Sequence, residues 1–271
     1  MTESYLRLFQ LTEAPFSKEV ADKDLWLPPS KQAVVDEICE AVQERGQVVL
    51  CGEPGAGKTC VLRAVRHCLP QAGFRLTYHH NATLGRRDFY RQLCLAIGLN
   101  PSATAAAVFY AVSLHVESLG RERVHPVFLL DEAHLLHQDM LDHLHILLNY
   151  EWDSRALLSL ILVGTPELLD RLELRKNRSL YSRIHRRLAI GPMTCDDTAE
   201  YVHMRLARVG CDRPLFASDA IALLHEVAGS NLREIDRLAT DALRETARRK
   251  KKLVERDAIE RVAGNAPANA T

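Results

Sequence analysis

Two kinds of apolar pattern alternate along most of the chain, and the alternation stops near Met193. The first kind is a short apolar run bounded by turn-forming residues: Gln47–Cys51, Phe74–His80, Pro126–Leu130, Leu158–Val163 and Leu188–Ile190. Runs of this length read as buried strands. Between them lie stretches whose apolar residues recur three and four apart, the spacing of a helix that buries one face. Lys31–Arg45 is one, with Val34, Val35, Ile38, Ala41 and Val42 aligned and Ser30 placed as its N-cap; Val61–Arg66 begins another. Strands alternating with helices predict a parallel sheet of the α/β class, covered on both faces. From Met193 onward only the helical spacing persists, over Thr198–Val209, Ser218–Ala228, Leu232–Arg248 and Asp257–Val262, with Gly210, Pro214 and Gly229 as punctuation.

This pattern predicts four segments. Residues 1–30 are an N-terminal strap, residues 31–191 an α/β domain, residues 192–263 a small helical lid domain, and residues 264–271 a flexible tail. The strap carries Phe9, Leu11, Phe16, Trp26 and several prolines but no long period, and is expected to lie extended on the α/β domain. Its end, Leu27-Pro28-Pro29, either lines the base side of a nucleotide site or only covers core.

The first strand run leads into Gly52-Glu53-Pro54-Gly55-Ala56-Gly57-Lys58-Thr59, and Cys60 follows as the helix begins. This is the Walker A spacing in the strand–loop–helix context that gives it meaning. The glycines let successive backbone N–H groups converge on phosphate oxygens, and the helix N-terminus adds partial positive charge. Lys58 is then placed for the β- and γ-phosphates of ATP, and Thr59 for Mg2+.

The third run ends in Leu129-Leu130-Asp131-Glu132-Ala133-His134, apolar residues followed by two acids at a strand's C-terminal end, where open α/β sheets bind ligands. Asp131 is the candidate magnesium holder and Glu132 the candidate base for the attacking water. Asn81 ends the second run, either restraining Glu132 or serving as an ordinary turn residue. Thr165 ends the fourth, where it can sense the γ-phosphate, cap the helix beginning at Pro166, or both. Histidines 134, 137, 143 and 145 lack a cysteine cluster at metal spacing and read as packed or surface residues.

Lys+Arg and Asp+Glu balance at 35 each, so nucleic acid would have to be held by local patches. One such region is Arg171 to Arg187, with Arg171, Arg175, Lys176, Arg178, Arg183, Arg186 and Arg187 against Glu173 alone. Asp131 to Ser154 holds Asp131, Glu132, Asp139, Asp142, Glu151 and Asp153 and no Lys or Arg. Opposite patches suit head-to-tail contact in a homo-oligomer, ring or filament. Arg183 would then enter a neighbour's site as an arginine finger, and Arg233, at the helix start after Gly229-Ser230-Asn231-Leu232, would act as a second sensor. For double-stranded DNA the preferred contacts are Arg86 and Arg87, ahead of the basic run Arg248–Lys252. No apolar run reaches the roughly 20 residues of a membrane span. Seven scattered cysteines fit a reduced, cytoplasmic protein.

With these residues in hand the chain resembles an AAA+ ATPase, and more narrowly the family of general secretion pathway protein A. The resemblance rests on Phe9-Gln10-Leu11-Thr12-Glu13-Ala14-Pro15-Phe16, the Walker A loop, Leu130–His134, Leu162-Val163-Gly164-Thr165-Pro166-Glu167-Leu168, Arg183-Ile184 and Gly229–Arg233. It departs at Thr165 and His134, where glutamine is usual or frequent. The resemblance implies an AAA+ P-loop NTPase fold with a five-stranded sheet and helical lid, ATP and magnesium as cofactors, and ATPase activity. Members of this size without a membrane span or cell-wall domain resemble transposition helper ATPases of the Mu B, TniB and TnsC type. That implies assembly on duplex DNA and a transposase or integrase as partner. The alternatives are a secretion or envelope assembly ATPase acting on proteins, and a module that uses ATP only as a switch.

Overall fold

The computed structural model describes residues 2–70, 72–80, 83, 85–100, 104–150 and 154–264. They form two compact units. One comprises Pro29–Glu53 and Lys58–Ile190; the other comprises the chain up to Pro28, Pro54–Gly57, and the chain from Gly191 onward.

The first unit is built on five parallel strands, β1 (Gln47–Cys51), β2 (Phe74–His79), β3 (His125–Leu130), β4 (Ser159–Gly164) and β5 (Ile184–Ala189), in the order β2-β3-β4-β1-β5. Strand residues alternate between two buried faces. Val49, Cys51, Phe128, Leu130, Leu160 and Leu162 join one core with the helices Arg86–Ala96, Ala105–Arg121 and Gln138–Leu147. Val48, Leu50, Val127, Leu129, Ile161 and Val163, buried on the alternate positions, face the other side of the sheet. That side is covered by the helices Pro29–Gln43 and Lys58–Cys68.

Among the boundaries that differ from expectation, two have a plain physical cause. β5 begins at Ile184 instead of Leu188. It is an edge strand paired only with β1, and its alternate residues His185 and Arg187 are exposed, so an apolar-run criterion misses its first half. The first helix of this unit begins at Pro29, so Ser30 lies inside its first turn and is not its N-cap. Proline suits that position because its missing N–H would have no helical partner there.

The second unit is helical, with Cys195–Arg208, Ser218–Ala228, Leu232–Arg248 and Arg256–Gly264. Here the expectation for the opening segment is overturned. Thr2–Phe9 is a helix, and Tyr5, Phe9, Leu11 and Phe16 are buried with Val202, Leu206, Phe216, Leu224, Ile235 and Leu243. The segment therefore belongs to the core of the helical unit and is not a strap on the sheet. Arg205, 4% exposed, donates to the carbonyls of Pro15 (2.6 Å) and Ser17, which explains why an arginine is tolerated inside this core. Residues 265–271, expected as a tail, lie outside the described residues. Among the described residues no helix is long and apolar enough to cross a membrane.

Candidate active site

The strand order sets the site. β1 and β3 are separated by β4, so the loops leaving all three open at one edge of the sheet. The N–H of Gly52 donates to the carbonyl of Gly164 at 3.1 Å, which fixes the start of the glycine loop against the end of β4. Lys58, the first residue of the helix Lys58–Cys68, donates to the carbonyls of Gly52 at 2.6 Å and Glu53 at 3.1 Å. The loop thus holds its ammonium at its own mouth. Thr59 is exposed and Cys60 half-buried in the next two positions.

The rest of the loop, Pro54–Gly57, belongs to the helical unit. Asn231 donates from Nδ2 to the Pro54 carbonyl at 2.8 Å, and the N–H of Leu232 donates to the Gly55 carbonyl at 3.1 Å. A side chain at Gly55 is excluded twice. Its φ is +85°, and a Cβ there would lie 2.1 Å from Asn231 Oδ1. Asn231 also caps the helix Leu232–Arg248, accepting from the N–H groups of Arg233 at 3.0 Å and Glu234 at 3.4 Å. Arg233 follows directly, its side chain exposed.

At the end of β3, Asp131 is 8% exposed. Its carboxylate accepts from the Tyr78 hydroxyl at 2.8 Å and from the N–H of Glu132 at 2.9 Å. Burial first, and then the bond to Asp131, push the Tyr78 phenol well above its ordinary range, so it remains a donor. Glu132 takes a left-handed backbone (φ 53°, ψ 33°), a conformation that costs a non-glycine residue about 1–3 kcal/mol and turns its side chain out of the strand direction. Its carboxylate lies 3.6 Å from His134 Nδ1. Arg171 anchors the His134 segment by donating to the carbonyls of His134 and Leu136.

Thr165 follows β4. Among the described residues its hydroxyl is buried without a hydrogen-bond partner and caps no helix N–H; it lies beside the carboxyl of Glu167, the first residue of the helix Glu167–Glu173. That hydroxyl is the largest of the effects holding Glu167 below the usual carboxylate range, and the charge of Lys58 acts in the same direction. Lys58, Asp131, Glu132, His134, Thr165 and Glu167 therefore share one edge. Asn81 lies outside the described residues. Arg86 and Arg87 are exposed in the first turn of Arg86–Ala96, after β2.

Arg183 is not at this edge. It immediately precedes β5, at the end of the sheet where strands begin. Six residues of strand put it roughly 20 Å from the edge that carries Lys58. The two charged stretches lie close together. The helix Gln138–Leu147 packs against the segment Arg175–Tyr181, and Gln138 bonds both Asp142 and Asn177. The acidic and basic stretches thus adjoin within one copy, and Arg171, Arg186 and Arg187 have internal partners. Arg175, Lys176 and Arg178 remain exposed.

A family profile described as AAA domain matches residues 29–172. The chain belongs to the AAA domain family. Over 242 residues this AAA chain is 31% identical to general secretion pathway protein A of Aeromonas hydrophila, a match covering 88% of the chain but 44% of that protein. The chain thus spans less than half the length of this relative. Among solved structures it is similar to Drosophila ORC bound to DNA, with a TM-score of 0.70 at 19% identity over 95% of this chain and 64% of that one. It is also similar to Cdc6p from Pyrobaculum aerophilum, with a TM-score of 0.65 at 18% identity over 89% and 67%. These likenesses concern the fold, that of an AAA+ P-loop NTPase with a helical C-terminal region.

Sequence reasoning missed Tyr78, Asn231, Arg171 and Glu167 as parts of this AAA site. Asn231 carried a readable signal, an N-cap asparagine two residues after a glycine. Tyr78 carried none, because its role exists only once β2 is paired beside β3.

Proposed function

We propose that the chain is an ATPase that works as an assembly of copies on duplex DNA and directs a transposase to its target. The donor set fits magnesium-bound ATP: a buried, pre-oriented carboxylate at Asp131 and a loop that gathers Lys58 at its mouth. Magnesium, when bound, neutralises charge on the β- and γ-phosphates. Thr59 and Asp131 would hold it, and residues Gly52–Lys58 with Cys60 would cradle the phosphates. Glu132 takes the proton of the attacking water while Thr165 and Arg233 read the γ-phosphate.

The observation that carries the assembly is the position of Arg183. An arginine roughly 20 Å from its own glycine loop can reach a γ-phosphate only in another copy. Support for DNA comes from exposed Arg86 and Arg87 and from fold likeness to a DNA-bound ORC. A second reading, an assembly ATPase of a secretion system acting on proteins, is favoured by the 31% identity to general secretion pathway protein A.

Sedimentation with ATP and duplex DNA separates the two readings. The DNA reading expects ATP-dependent assemblies on duplex that weaken steeply between about 50 and 200 mM salt. The variant Lys58→Ala should form none. Indifference to duplex at low salt, with ATP turnover intact, would favour the protein-directed reading.

A further inference from the structure

The segments leading into three neighbouring strands each bring an arginine to one cavity. Arg45 precedes β1, Arg123 precedes β3 and Arg155 precedes β4, and these strands lie side by side in the order β3-β4-β1. With His125 and Leu157 among the other lining residues, they line a partly open cavity of about 320 Å³. The cavity lies at the opposite edge of the sheet from Lys58. Among the described residues no Asp or Glu lines it. The carboxylates adjoining Arg45 and Arg123 in sequence have other partners: Glu44 lies 3.7 Å from Arg186, and Glu122 accepts from Ser118 Oγ at 3.3 Å.

The frame around the cavity is tightly bonded. Gln47 donates to the Leu158 carbonyl at 3.1 Å and accepts from the N–H of Leu160 at 2.6 Å, joining β1 to β4. His125 Nε2 meets Ser159 Oγ at 2.9 Å, joining β3 to β4. Arg45 and Arg123 each terminate a helix at φ +61°, with the paired backbone bonds of a left-handed cap, a position that glycine fills most easily.

Magnitudes decide the sign of the site. Each helix C-terminus contributes about −0.5 charge, so the two that end at Arg45 and Arg123 contribute about −1. Two guanidiniums outweigh this and leave roughly +1 before Arg155 is added. Guanidinium forks match the oxygens of phosphate two at a time, and the volume is at the small end of ligand pockets, about 300–1,000 Å³.

We propose that this cavity is a binding site for a phosphate oxyanion, distinct from the glycine loop. The phosphate group belongs either to a free phosphorylated small molecule or to the phosphodiester backbone of nucleic acid. The variants Arg45→Gly and Arg123→Gly test it, because glycine accepts the left-handed backbone while the guanidinium is removed with the rest of the side chain. Inorganic phosphate and a short duplex are titrated calorimetrically into the full chain saturated with Mg-ADP, so that uptake at the glycine loop is counted separately. Saturable phosphate binding, weakened at least tenfold in each variant with ADP affinity and melting temperature retained, is the expected result. Duplex affinity that falls in parallel identifies nucleic acid as the source; a fall for inorganic phosphate alone identifies a small molecule. No saturable uptake of either probe, or variants that bind like the parent, overturns the proposal.

Discussion

The two edges of the sheet carry opposite solutions to one problem. Where the strands end, helix N-termini and the N–H groups of the glycine loop offer partial positive charge. A single lysine, Lys58, suffices there, and the nearby side chains are mainly acidic: Asp131, Glu132 and Glu167. Where the strands begin, helices end, and their carbonyls repel anions. Any anion site at that edge needs full charges, and Arg45, Arg123 and Arg155 supply them with no carboxylate among the described lining residues. Arg183 sits at the same edge, before β5. The polarity of a parallel sheet thus separates the proposed nucleotide site from a surface armed with guanidiniums.

Three predictions bear on that contrast. The largest concerns Arg183. Arg183→Ala should lower ATP turnover about 10³-fold in the assembled protein while ATP still binds. Mixing it with Lys58→Ala should restore part of the rate, since one copy then supplies the loop and the other the arginine. Absence of rescue in mixtures that do co-assemble would argue that the two edges never meet.

A comparable effect is expected of stability at the arginine edge. Burial first, and the charge of Arg45 second, hold the His125 imidazole down at about 4. Its unfolded value is about 6.5, so the folded chain resists protonation that the unfolded chain accepts. Stability is complete above about pH 6.5 and declines as pH falls towards 4, by on the order of 3 kcal/mol. Thermal melts from pH 7.5 to 4.5 should show this slope flattened in His125→Asn; parallel slopes would assign the acid sensitivity elsewhere.

The smallest is Glu132→Gln. It should keep ATP affinity and slow hydrolysis by about 10²-fold or more, as loss of a general base does. Single-turnover kinetics with unchanged rate would move the base to another group at that edge.

Much of this was legible in the residues. The α/β class, the position of all five strand runs, the glycine loop and the acidic pair follow from patterns that are local, because a buried strand or a phosphate loop must carry its own side chains. What escaped was whatever depends on a neighbour. β5 lost its first half because only one of its faces is dry. Ser30 was misread because Pro29 already opens the helix. The opening segment was assigned to the wrong unit, since Phe9 and Phe16 announce burial without saying against what.

The sequence by itself therefore determined which chemistry the chain carries and on which side of each strand it lies. Only the tertiary structure decided who shares an edge. Strand order β2-β3-β4-β1-β5 brings Tyr78 to Asp131 and gathers three distant arginines, and the parallel direction of β5 leaves Arg183 at the end away from Lys58. Apolar spacing encodes burial, a one-body property, whereas adjacency in a sheet depends on crossovers that no short stretch of residues records.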